Sequence, residues 1–274
     1  MSASRPTPIA RAVAFGRYAW RLSRLSPTLP AKIGTVKAAI ALLRHARRGL
    51  SSPKVNRVEL EYNGKRFGIE LSSYAELQVV DEVFLRGEYE LALPGGPPAV
   101  IVDAGSNVGV SVLFFRARYP DALIVAVEPD QRTFERLRVN TDGLERVRSL
   151  NVALGSRDER RRFYRTPESW ASSLRLPAGP FEEIEVQVRS LASLLDELGI
   201  TTVDLLKLDI EGGEEEVLQD RPSLERVRAI VGELHPGLVE EPSALLENLG
   251  AFDLDVDRSD SSRWLFRGIR IGTT

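Results

Sequence analysis

Five polar side chains stand where apolar runs end, and their types could share one chemistry. Asp103 follows Ala99-Val-Ile-Val102, and Glu128 follows Leu123-Ile-Val-Ala-Val127. Asp209 follows Val203-Asp-Leu-Leu-Lys-Leu208, and Glu233 with His235 closes the run from Arg228. In an open α/β sheet the ligand crevice lies beyond the carboxyl ends of the strands, so carboxylates and an imidazole placed there can bind hydroxyls or cations and move protons. His235 is one of only two histidines, and the other, His45, lies in a basic N-terminal stretch. This makes His235 the first candidate for a general base, with Asp209 as its rival and Glu233 beside them.

The loop after the first of these runs selects a ligand. Asp103-Ala-Gly105-Ser-Asn107-Val-Gly109 lacks the middle glycine of the Gly-x-Gly-x-x-Gly dinucleotide fingerprint and places an anion just before the turn. A carboxylate there repels a pyrophosphate and suits a ligand carrying an ammonium and a sulfonium, as S-adenosylmethionine does. Glu128 offers two acceptor oxygens to ribose hydroxyls. Taken alone the glycine loop is an ordinary parallel-sheet turn in which Asp103 caps a helix. The second acid at the end of the next strand favours a nucleoside site.

Read in order, Val102-Asp103-Ala-Gly105-Ser-Asn107-Val-Gly109, Val127-Glu128-Pro129, Asn151-Val-Ala153-Leu-Gly155, Asp204-Leu-Leu-Lys207-Leu-Asp209-Ile-Glu211-Gly212-Gly-Glu214 and Glu233-Leu-His235 resemble the motif set of the FkbM-type methyltransferases over roughly residues 74–268. Ser106 and Gly213 stand where alanine is common, and neither change removes a functional group. The resemblance implies a class I methyltransferase fold: a Rossmann-like, mostly parallel seven-stranded sheet with helices on both faces, here with an N-terminal helical extension. It also implies methyl transfer from S-adenosylmethionine to a hydroxyl of a sugar, glycan or glycosylated or polyketide natural product. The expected cofactor residues are Asp103, Gly105, Asn107, Gly109, Glu128 and Asn151, and the expected acceptor-side residues are Asp209, Glu233 and His235. Asp209, Glu211 and Glu233 could present oxygen ligands to Mg2+, although Glu211 could instead cap the next helix. The rival readings are a nucleotide-sugar or NAD-dependent oxidoreductase, and a scaffold that keeps the pocket without catalysis.

The elements that position these residues follow from periodicity. Val58 to Ile69 alternates around Asn63-Gly64 and predicts a hairpin, and Tyr74 to Arg86 a helix. Beyond the Pro- and Gly-rich linker 93–98, helices are expected over Thr133–Asn140, Leu191–Leu198, from Glu214 and over Leu238–Leu249. Strands are expected over Val147–Ala153, Arg161–Arg165, Ile184–Val188, Val203–Leu208 and Arg228–Leu234, with Phe252–Val256 and Trp264–Arg270 forming an antiparallel edge. The run Glu214-Glu-Glu216 reads as structural, favouring the dipole of a helix start. Ser172 and Ser173, in the loop around Trp170, read as solvated turn residues.

The 274-residue chain, 43% hydrophobic and 28% charged, can bury one good-sized core plus an extension. With no cysteine it excludes disulfides, thiolate metal sites and a cysteine nucleophile, and it suits a reducing, cytoplasmic setting. Neither a signal peptide nor a bilayer-spanning run is evident.

The net charge of -2 conceals two halves. Residues 1–58 hold twelve Lys or Arg and no acid, while the remaining residues hold 25 basic against 39 acidic. The reading is therefore a basic helical arm over 1–57 and a methyltransferase domain over 58–274. Arg17, Arg21 and Arg24 share one helical face, opposite Phe15, Tyr18, Leu22 and Leu25. A second helix, from Ala31 to Arg48, stops at Gly49. The arm could cover the body or pair with another subunit in a homo-oligomer, or it could be drawn to anionic lipid as a peripheral membrane contact. The expected partner is a small-molecule or glycan acceptor, and nucleic acid is not expected beside an acidic body.

Overall fold

The computed structural model describes residues 8–47, 55–166, 172–175 and 179–272. The expected helix stop at Gly49 and the surroundings of Trp170 lie outside them. The chain divides into two compact units, residues 1–86 and 87–274, so the hairpin and helix that follow residue 57 belong to the first unit.

The first unit begins with helices α1 (Pro8–Ser23) and α2 (Leu29–Arg47). Strands β1 (Asn56–Tyr62) and β2 (Lys65–Leu71) follow as an antiparallel hairpin. Its two-residue turn needs positive φ at both central positions, which Asn63 (48°) and Gly64 (74°) supply. Helix α3 (Tyr74–Phe84) is capped by the Ser73 hydroxyl, which accepts from the Glu76 amide at 3.1 Å. Arg21 and Arg86 both pair with the buried Asp81, at 2.5 and 3.0 Å.

The second unit is built on a seven-stranded sheet. In chain order it comprises β3 (Val100–Ala104), α4 (Val110–Arg118), β4 (Leu123–Val127), α5 (Gln131–Asn140), β5 (Val147–Leu150), β6 (Ala153–Gly155), β7 (Glu159–Arg165), β8 (Glu182–Ser190), α6 (Leu191–Leu198), β9 (Leu205–Leu208), α7 (Glu214–Gln219), α8 (Arg221–Leu224), β10 (Ala229–Leu234), α9 (Pro242–Glu247), β11 (Phe252–Asp257) and β12 (Trp264–Arg270). The strand order is β11-β12-β10-β9-β3-β4-β5. Strands β10, β9, β3, β4 and β5 run parallel, and β12 enters antiparallel between β10 and β11. This is the mostly parallel architecture expected, including its antiparallel edge.

Both faces of the central strands are buried, as a parallel sheet requires. Val102, Ala104, Val125, Val127, Leu206, Leu208, Ile230 and Leu234 pack on one side with Leu194, Val217 and Leu245 from the helices. The alternate positions Asp103, Lys207 and Glu233 therefore fall on the other side, all buried.

Two expected elements differ. The strand expected over Val147–Ala153 divides, because the Asn151 side-chain amide donates to the carbonyls of Glu128 and Pro129, both at 2.9 Å, and turns the chain out of the main sheet. Strand β6 then joins β8 and β7 in a separate three-stranded sheet. The helix expected over Leu238–Leu249 is a 3-10 turn at Pro236–Leu238 followed by the short α9. Pro242 cannot donate within a helix, so it sits in the first turn of a new one.

Candidate active site

The cofactor side is shaped by the loop between β3 and α4. Gly105 adopts φ 76°, and a Cβ there would lie 1.7 Å from the Asp209 carbonyl oxygen, so this glycine lets the loops after β3 and β9 touch. Gly109 adopts φ 95°, where a Cβ would crowd Leu137 at 3.0 Å. Asp103 is not a helix cap: α4 has no side-chain cap, and Asp103 Oδ2 accepts from the Ser111 hydroxyl at 2.5 Å. Asp103 Oδ1 lies 3.3 Å from Lys207 Nζ, which also donates to the carbonyls of Gly105 (2.6 Å) and Ala104 (3.2 Å).

Glu128, at the end of β4, accepts from the Asn107 amide at 3.1 Å and the Asp130 amide at 2.9 Å, one on each carboxylate oxygen. A carboxylate has about four acceptor positions, so both oxygens keep capacity for ribose hydroxyls. Burial pushes its pKa up to about 8 against the lowering effect of those amides. The buried Asn107 Oδ1 has no hydrogen-bond partner. An acceptor left unpaired beside the glycine loop fits a nucleoside ligand there. Asn151 acts on the backbone, holding the Glu128–Pro129 turn.

The acceptor side lies at the ends of β9 and β10. Asp209 Oδ2 is 3.6 Å from Lys207 Nζ. The loop beyond it carries Glu211 (φ 51°) and Gly212 (φ 95°). Its open amides are met by the fully buried Glu214, which accepts from Gly212 at 2.7 Å and Ile210 at 3.3 Å. Glu211 does not cap α7, whose N-cap is Gly213 with no side-chain cap. Glu211 instead faces His235, Oε2 to Nε2 at 3.5 Å. The rest of the acidic run is structural, as Glu215 pairs with Arg175 and Glu216 with Arg161.

His235 stands among carboxylates. Its Nδ1 is 3.4 Å from Glu214 Oε1, and its Nε2 is 4.0 Å from Glu233 Oε2. Burial lowers its pKa, but the Glu214 hydrogen bond and the charges of Glu211 and Asp209 outweigh burial and carry it up to about 10. It is therefore an imidazolium near neutrality in the free protein. Burial, with Asp209 nearby, raises Glu233 to about 8 despite Arg263, and burial raises Glu211 to about 8.

Several members of the site escaped sequence reasoning. The Tyr89 hydroxyl lies 3.1 Å from Asp209 Oδ2 and 3.2 Å from Glu233 Oε1. Arg263 donates to Glu233 Oε1 at 3.0 Å and grips both oxygens of Glu88 at 3.0 and 3.2 Å. Tyr89 and Arg263 lie in irregular segments without periodicity. The available signal was register, since Arg263 precedes Trp264, which opposes Leu234 beside Glu233. Ser172 and Ser173 are buried rather than solvated. Ser173 donates to the Glu211 carbonyl, and Arg175 Nε donates to the Gly212 carbonyl at 2.9 Å, so this segment clamps the loop after β9.

Asp209, Glu233 and His235 each offer a ligand atom within 4.8 Å of the others, whereas Glu211 lies outside that trio. Two carboxylates and an imidazole suit a divalent transition-metal ion better than Mg2+, which prefers an all-oxygen ligand set.

Comparison with known proteins assigns the family. Residues 103–253 match the family model described as the methyltransferase FkbM domain. The methyltransferase sdnD of Sordaria araneosa is 30% identical over 220 residues, covering 66% of this chain and 84% of that protein. The 2-O-methyltransferase NoeI of Sinorhizobium fredii is 29% identical over 179 residues, covering 58% and 74%. The 31-O-demethyl-FK506 methyltransferase FkbM of Streptomyces tacrolimicus is 29% identical over 205 residues, covering 62% and 77%. The chain belongs to the FkbM family and is an S-adenosylmethionine-dependent methyltransferase.

Proposed function

We propose that the chain methylates a hydroxyl of a sugar, glycan or glycosylated or polyketide natural product. The observation that carries this reading is the carboxylate–histidine cluster of Asp209, Glu233 and His235 next to the glycine loop, with Gly105 against the Asp209 backbone. The names of two relatives, a 2-O-methyltransferase and a 31-O-demethyl-FK506 methyltransferase, support transfer to oxygen.

S-adenosylmethionine, when bound, supplies the electrophilic methyl group. Glu128 and Asn107 would hold its nucleoside portion, and Asp103 sets a negative potential near its charged groups. A protonated sugar hydroxyl is a poor nucleophile, and a positioned base contributes roughly 10²- to 10⁴-fold. In the free protein His235 already carries a proton, so the receiving group is a carboxylate. Glu233 Oε2 is the better placed oxygen, because Oε1 already accepts from Arg263 and faces Tyr89. Its raised pKa, about 8, leaves it largely protonated at pH 7, but it ionises before His235 and is then a stronger base than an ordinary carboxylate, so turnover should rise as pH climbs toward 8. The imidazolium of His235, 4.0 Å from that oxygen, orients it.

The convergence of Asp209, Glu233 and His235 also favours a second reading, in which these three residues, with His235 neutral, would hold a divalent cation that would supply Lewis acidity to the acceptor hydroxyl. Methyl transfer from labelled S-adenosylmethionine to a panel of glycosylated acceptors tests the main reading. Turnover lost in Glu233→Gln with cofactor binding retained supports it, and unchanged turnover rejects the role of Glu233. Chelation followed by Mn2+ or Mg2+ addition separates the two readings.

A further inference from the structure

We propose that the outer face of the α1–α2 hairpin docks on an anionic lipid surface, independently of the acceptor chosen by the catalytic unit. Among the described residues seven large hydrophobic side chains are exposed, and three of them, Trp20 (67%), Leu29 (71%) and Ile33 (49%), fall in this short segment. Helical spacing aligns Trp20 with Arg17 on α1, with Arg24 in the turn that follows, and Ile33 with Leu29, Lys37 and Arg44 on α2. All four basic residues are exposed, and none has an ion-pair partner among the described residues. The opposite stripes, Ala19, Leu22 and Ser23 on α1 and Thr35, Ala38, Ala39 and Leu42 on α2, are buried. The outward face is therefore not a core face awaiting its own domain.

Charge and apolarity on one face choose the partner. The first 58 residues contain no acid, so the face complements an anionic surface. Phosphate attraction alone gives Trp20, Leu29 and Ile33 nothing, whereas an interfacial helix buries such side chains at the boundary between headgroups and acyl chains. No described helix is long and apolar enough to cross a membrane, so the hairpin lies on the surface. A two-fold pairing of this face with a second copy would bring four cations against four, which opposes association.

Co-sedimentation of the full chain with phosphatidylcholine vesicles, with and without about one-third phosphatidylglycerol, tests the proposal. Binding is expected only to the anionic vesicles and should weaken with salt. Arg17→Glu/Arg24→Glu/Lys37→Glu should reduce partitioning at least about tenfold. Trp20→Ser/Ile33→Ser should also weaken it, with no change of charge. Calorimetric binding of S-adenosylmethionine, unchanged in both variants, shows that the catalytic unit is folded. Failure to bind anionic vesicles would overturn the proposal, as would binding indifferent to the Trp20/Ile33 change. A dimer dispersed by those substitutions, without vesicle binding, would assign the face to a second copy instead.

Discussion

Lys207 and Asp103 are register partners on adjacent parallel strands, and their charged groups meet 3.3 Å apart with both side chains buried. The pair links the two halves of the site, because the same ammonium lies 3.6 Å from Asp209 and donates to the carbonyls of the glycine loop. Burial depresses the Lys207 pKa, but the charges of Asp103 and Asp209 outweigh it, and the net direction is upward.

Replacing Lys207 with methionine keeps the bulk and leaves Asp103 charged and buried. Removing one partner of a buried pair costs about 3–5 kcal/mol. We expect Lys207→Met to lose about that much in urea denaturation, and Lys207→Met/Asp103→Asn to recover much of it. Cofactor affinity should stay low in both, since the loop carbonyls have lost their donor. Equal stability of wild type and Lys207→Met would refute the pairing.

Gly105→Ala tests the contact between the loops after β3 and β9. A Cβ placed 1.7 Å from a backbone oxygen cannot be relieved by a rotamer change, and φ 76° adds strain. The loops must separate, so S-adenosylmethionine affinity and turnover should fall together, by well over tenfold in calorimetry and assay. A variant that binds normally would show that the contact is dispensable.

Tyr89→Phe removes a hydroxyl that has one proton and two carboxylate neighbours. Arg263 already serves Glu233, so the proton belongs chiefly to Asp209. A hydrogen bond to a charged group contributes about 1.5–3 kcal/mol. The expected result is kcat lower by about ten- to a hundredfold, with S-adenosylmethionine affinity nearly unchanged. If affinity falls while kcat holds, Tyr89 belongs to the cofactor side.

The contrast between Glu128 and Tyr89 shows what sequence could and could not reveal. Glu128 ends an apolar run, and strand termini are legible because burial imposes composition. Asp103, Asp209 and Glu233 were found by the same rule, and the structure brings them together toward the carboxyl ends of the adjacent central strands β3, β9 and β10. Tyr89 and Arg263 reach the site from irregular chain, where position depends on tertiary packing rather than periodicity. Ser172 and Ser173 looked like solvated turn residues because their partners, the Thr166 amide six residues away and the Glu211 carbonyl 38 residues away, are not set by any sequence period. The division of the strand after Leu150 was hidden for the same reason, since it turns on where the amide of Asn151 points.

Glu128 should make cofactor binding depend on pH. Its pKa in the free protein, about 8, lies above the ordinary 4.5 because of burial, so at pH 7 it is largely protonated. A raised acid stabilises the folded state fully below pH 4.5, and that contribution is lost as pH rises through about 8. Ribose hydroxyls donate best to the ionised form. Affinity for S-adenosylmethionine should therefore climb as pH rises from 6, by up to about tenfold per unit, and level off above 8. Thermal shifts with and without cofactor, measured from pH 6 to pH 9, read both trends. In Glu128→Ala the cofactor-induced shift should be small and nearly flat across this range. A wild-type affinity that falls with rising pH would mean that the protonated carboxyl is the form that binds.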